Sequence, residues 1–111
     1  MKKTLMFSLL IGLMVLTSIS CRKVTKTNPE FIGFWSASVD GTVYAIDIDS
    51  EGEGSYQESS SLLNTNEWEG PARFKKGVLK IGVKSLTVDK EPFEVGQFTY
   101  MEVEGKTFIK Q

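Results

Sequence analysis

The chain predicts a small all-β domain: an antiparallel up-and-down meander of about eight short strands, closed as a barrel or, alternatively, folded as a small sandwich. Three observations predict it. From Arg73 to Asp89, apolar and basic side chains alternate with a period of two, the signature of a half-buried sheet. Tight-turn pairs recur along the chain at Asp40-Gly41, Lys76-Gly77 and Glu104-Gly105. After the first twenty residues, no stretch carries a helical period.

Residues 1–20 read as a signal peptide, with Lys2 and Lys3 at its start, an apolar run from Leu5 to Leu16 and small residues after it. That run is too short to span a bilayer as a permanent helix. Ser18-Ile19-Ser20 then leads into Cys21, the only cysteine. The segment resembles the lipobox of bacterial lipoproteins, although Ser18 stands where that box commonly has Leu. The resemblance implies that Cys21 receives a diacylglycerol, becomes the new N-terminus and is further acylated, for instance by palmitate. Two or more chains suffice for stable anchoring. Localisation in the bacterial cell envelope, anchored by lipid to the outer membrane and associated with the periplasm, is the corresponding expectation, with the membrane face left open. Residues 21–28 are then the acylated cysteine and a polar tether, Arg22 to Asn28, which spans at most about 23 Å. Residues 29–111 form the barrel domain.

A turn at Asp40-Gly41 pairs Trp35 with Ile46 and Ala37 with Tyr44, so that Trp35, Ala37, Val39, Tyr44, Ile46 and Ile48 share a face. A three-residue Ser50-Glu51-Gly52 loop sets Ile46 opposite Tyr56 and Ile48 opposite Gly54. Ser59 to Asn66 is expected to be an irregular loop over one end of the sheet. Strand character resumes from Trp68 to Lys75. A turn at Lys76-Gly77 sets Phe74 against Leu79 and Ala72 against Ile81. A turn at Lys84-Ser85 would set Val83 against Leu86 and Ile81 against Val88. After Pro92, Phe98 to Val103 and Lys106 to Lys110 make a last hairpin with Met101 opposite Phe108. Trp35, Tyr44, Tyr56, Phe74, Phe93 and Phe108 are expected in the core, because a domain this small needs each large apolar side chain to offset conformational entropy.

Gly33-Phe34-Trp35 on the first strand resembles the Gly-x-Trp motif that opens the lipocalins, and the mature domain resembles the small lipocalin-like domains of bacterial lipoproteins. The domain is little more than half a typical lipocalin and lacks the Thr-Asp-Tyr motif. The resemblance implies that Trp35 plugs the closed end, with Gly33 beside it, Phe108 packed against it and Lys110 where the family stacks an Arg. It also implies a ligand at the open end, for which Trp68, Tyr44 and Tyr56 are the candidate contacts. Trp68, between Glu67 and Glu69, is expected on the rim.

Composition narrows the function. With no histidine and a single cysteine among 111 residues, the usual general base, the commonest zinc ligands and an internal disulfide are all missing. No catalytic constellation is visible, so the expectation is a non-enzyme without a cofactor. Residues 28–72 hold nine acidic side chains and no basic one, whereas residues 73–90 hold six basic and one acidic. Opposite charges on adjacent strands are expected to attract across the outer face. The domain is not net basic, which argues against nucleic acid. Asp47, Asp49, Glu51, Gly52 and Glu58 match the letters of an EF-hand calcium loop, but the flanks read as strands, and hairpin-tip chemistry explains the same letters. No metal is expected there. The reading is a monomer held at the membrane by its acyl chains. It binds a small apolar ligand or an envelope protein or, alternatively, acts as an interaction or inhibitor domain with a filled core.

Overall fold

A computed structural model of the chain describes residues 28–60 and 64–111. The signal peptide, Cys21 and the tether up to Thr27 lie outside the described residues. After a single 3-10 turn, Pro29–Phe31, come eight strands: β1 Gly33–Val39, β2 Thr42–Ile48, β3 Glu53–Ser60, β4 Thr65–Lys75, β5 Val78–Ile81, β6 Lys84–Val95, β7 Phe98–Val103 and β8 Lys106–Lys110. Each pairs antiparallel with its sequence neighbour, and β8 returns to β1 through Trp35–Lys110 and Ser36–Ile109. The result is the closed up-and-down barrel that the alternation predicted.

Turn chemistry explains most of the register. Asp40, Lys76 and Glu104 all have positive φ and are each followed by a positive-φ glycine, which is what a two-residue type I′ turn demands. The expected pairs Trp35–Ile46, Ile46–Tyr56, Ala72–Ile81 and Met101–Phe108 are all present. The β5–β6 connection differs. It turns at Gly82-Val83, not Lys84-Ser85, and pairs Ile81 with Lys84 and Leu79 with Leu86. Gly82, with φ 58°, fills the first central position, where a type II′ turn requires glycine. The slip is by an even number of residues, so Leu79, Ile81, Leu86 and Val88 still face inward. Val83 is left on the turn, 87% exposed.

Two further expectations are corrected. The Ser59–Asn66 segment carries ladder at both its ends: Ser59 pairs with Thr65 and Glu58 with Asn66, so β3 runs on to Ser60 and β4 begins at Thr65. Strand β6 also runs through Pro92 to Val95. The ladder is irregular between Val88 and Lys90 and between Lys90 and Phe93, and a bulged stretch is where a residue without an N–H is tolerated in a sheet.

Among the described residues, fourteen apolar side chains fill the interior, including Phe31, Trp35, Ile46, Leu79, Ile81, Met101, Val103 and Phe108, each at most 1% exposed. An eight-stranded barrel is just wide enough to be filled in this way. Phe31, supplied by the 3-10 turn, belongs to this core, whereas Phe93 does not: it pairs with Tyr100 on the outer face. The charge expectation is met at Lys90, whose ammonium lies 3.4 Å from Glu102 across β6 and β7, but not between the acidic and basic blocks of β2 to β5. Arg73 pairs with Lys80, and Asp47, Ser55 and Glu69 form one row across β2, β3 and β4. Burial of the inward set decides register, and outer charges follow wherever it puts them.

Candidate functional site

The barrel has two unlike ends. At one end lie the 3-10 turn, the Ser50-Glu51-Gly52 loop and the turns Lys76-Gly77 and Gly96-Gln97; at the other lie the turns Asp40-Gly41, Gly82-Val83 and Glu104-Gly105.

The first end is closed. Trp35 is fully buried and its indole Nε1–H donates to the Phe31 carbonyl at 2.9 Å. Phe31 in turn packs its ring 4.8 Å from that of Phe74. The Lys110 ammonium lies 5.3 Å from the Trp35 ring centroid. A Cβ on Gly33 would fall 2.5 Å from Lys110 Cε, so the glycine of Gly33-Phe34-Trp35 leaves room for the last strand's lysine to cross to the tryptophan. Phe108 is buried in the same core cluster as Trp35.

The second end gathers the three sequence-predicted ligand candidates. Alternation along β2, β3 and β4 turns Tyr44, Tyr56 and Trp68 inward, near this mouth. Tyr56 and Trp68 are directly paired across β3 and β4, and their rings stack at 5.5 Å. The Tyr56 hydroxyl donates to Glu58 Oε2 at 2.9 Å. Burial, then that hydrogen bond, then the charge of Glu58 push the Tyr56 hydroxyl far above the ordinary tyrosine value. Two lysines cap the rings. Lys84 Nζ stands 4.6 Å from the Trp68 centroid and 5.9 Å from that of Tyr56. Lys106 Nζ stands 4.6 Å above Tyr44 and donates to the Glu104 carbonyl at 3.3 Å. Each contact lies in the range where a ring quadrupole attracts a cation.

Lys84, Lys106 and Glu58 are the members of this site that sequence reasoning did not place there. Lys106 carried a signal: it is two residues before the inward Phe108 and must share its face. Lys84 was hidden by the misplaced turn, which assigned it to a tip.

The calcium-loop letters are not brought together. Asp47 and Asp49 border an open outer groove of about 280 Å³ shared with Glu53, Gly54, Ser55, Glu69 and Gly70. The Asp49 carboxylate is occupied in the turn, where its Oδ1 accepts from the backbone N–H of Glu51 at 2.8 Å and of Glu53 at 3.0 Å. Glu51 sits in that loop, while Glu58 faces the mouth beside Tyr56. Among the described residues, no group of three or more His, Cys, Asp or Glu side chains is placed to hold a metal ion.

Comparison with known proteins finds no matching family model, no matching curated protein and no matching solved structure.

Proposed function

We propose that the protein is a lipid-anchored, non-catalytic binding module of the bacterial cell envelope. It belongs with the small lipocalin-like lipoproteins, its barrel is a filled scaffold, and recognition takes place at the mouth. The observation that carries this reading is the contrast, among the described residues, between an interior occupied by fourteen buried apolar side chains and a mouth where Tyr44 and Trp68 are half-buried with lysine side chains over their rings. A surface of aromatic rings with flexible ammonium caps offers stacking area, and the caps swing aside at small cost. A filled core favours an envelope partner, or a small apolar ligand at the rim, over a ligand enclosed within the barrel.

Support for the anchor comes from residues 1–21, and support for the lipocalin-like reading from the Gly33–Lys110–Trp35 arrangement. Metabolic labelling with a fatty-acid analogue tests the first: wild type takes the label, and Cys21→Ser loses both label and membrane association. Membrane retention of an unlabelled Cys21→Ser protein would refute the anchor. A photo-crosslinking residue at position 68 tests the mouth. Crosslinks in cells that vanish when the probe is moved to Thr107, on the barrel's outer face, support it, and identical patterns from both positions refute it.

A further inference from the structure

The β6–β7 hairpin outgrows the barrel. Strand β5 covers β6 only from Lys84 to Thr87, while β6 continues to Val95. On the other side, β8 pairs with β7 only from Tyr100 onward, leaving Phe98 and Thr99 beyond its end. A two-stranded ribbon with Gly96-Gln97 at its tip therefore projects from the closed end. Its pairs Val95–Phe98 and Phe93–Tyr100 put four apolar side chains on one side. That side is the outer one, because Met101, next to Tyr100, is buried inside. Val95 is 58% and Phe98 53% exposed, and the rings of Phe93 and Phe98 lie 5.9 and 6.4 Å from Tyr100. Ile109 pairs with Tyr100, and exposed Phe34 lies further along the same outer surface. A monomer rarely leaves such a run of large apolar side chains contiguous without a use for it.

We propose that this ribbon docks on the lipid surface of the membrane that holds Cys21, seating Val95 and Phe98 in the headgroup region. The proposal rests on the anchor reading above. The path of the chain selects the occupant: the 3-10 turn at Pro29–Phe31 enters the barrel at the same end as the Gly96-Gln97 tip. A seven-residue tether spans at most about 23 Å, so acyl chains on Cys21 hold this end, and not the mouth, close to the bilayer. Arg22, Lys23 and Lys26 in the tether suit anionic headgroups. A second, weaker hydrophobic contact beside an acyl anchor also fixes orientation, which places the aromatic mouth away from the lipid, toward a partner.

The test reconstitutes the acylated protein in vesicles of phosphatidylethanolamine and phosphatidylglycerol. Acylation blocks Cys21, so Gln97→Cys introduces a single thiol for an environment-sensitive dye, and Val83→Cys provides the matching label at the other end. The expected result is a blue shift and strong quenching by nitroxide-labelled lipid at position 97 and neither at position 83. Equal, water-like signals at both positions would overturn the proposal. In the unacylated chain beginning at Arg22, Val95→Glu with Phe98→Glu should lower co-sedimentation with the same vesicles about tenfold or more, while Val83→Glu leaves it unchanged. Concentration-dependent dimers that the paired substitution dissolves, without lipid quenching, would assign the ribbon to a second copy instead. Intact mass reports Cys21 acylation separately, so failure of the anchor and failure of the ribbon are distinguishable.

Discussion

The two ends of the barrel use the same contact, a lysine over an aromatic ring, for opposite ends. At the closed end, Lys110 covers a Trp35 that is fully buried with its N–H satisfied by Phe31. At the mouth, Lys84 and Lys106 cover Trp68 and Tyr44, which remain partly exposed. Buried area separates the two. Where it is complete, the ring contributes to stability, and where it is partial, the ring is held ready for another molecule. The comparison teaches that cation–π geometry alone does not mark a site; the exposure of the ring beneath the cation does.

Truncation breaks this comparison most forcefully. Trp35→Ala is expected to cost about 3–5 kcal/mol, since it empties a core position and removes a buried hydrogen bond. That approaches the whole stability of a small domain. Trp68→Ala should cost only about 1–2 kcal/mol, from one stacked pair and partial burial. Urea unfolding of the two variants beside wild type checks both, and equal losses would erase the distinction between the ends. A smaller effect sharpens it. Gly33→Ala forces Lys110 away from Trp35 and strains a position at φ 137°, so a loss of about 1–3 kcal/mol is expected. Lys106→Met should shift the midpoint by less than about 1 kcal/mol while altering crosslinking at the mouth.

The smallest effect concerns pH. The Tyr56 hydroxyl is held above its ordinary value of 10.0 by burial and by its bond to Glu58. The folded state therefore keeps a proton that the unfolded chain releases above that value. Its contribution to stability is fully present below pH 10.0 and falls as pH rises beyond it. Wild type should lose stability at high pH more steeply than Tyr56→Phe. Parallel slopes for the two proteins would contradict the environment described for the Tyr56 hydroxyl.

Much of the barrel was legible because its signals are local. Positive φ at Asp40-Gly41 and Glu104-Gly105 follows from the residue pairs themselves, and strict alternation fixes which side chains meet. Misreadings arose where two local signals competed. Gly82 and the Lys84-Ser85 pair both offered a turn, and both choices kept the same residues inside, so hydrophobic pattern could not arbitrate. Pro92 suggested an end to pairing because the compensating bulge has no sequence signature as sharp as a turn. Phe93 looked like core because its type is apolar, yet it stands an odd number of residues from inward Val88 and pairs with Tyr100 on the outer face, the two register shifts between them cancelling. At the mouth, Tyr44, Tyr56 and Trp68 were readable as rings, but Lys84 was not, since its position over Trp68 depends on the turn that was misplaced.

Native mass spectrometry of the acylated protein purified from its own envelope distinguishes a filled barrel that binds at its mouth from one that encloses a ligand. The expected spectrum shows the mass of residues 21–111 with its acyl groups and no retained small molecule, and a bound species only when an added partner engages a mouth with Tyr44 and Trp68 intact. A small molecule carried through purification, and retained in the Trp68→Ala variant, would rule out a filled barrel, because it would have to occupy the interior held by Trp35, Ile46, Met101 and Phe108.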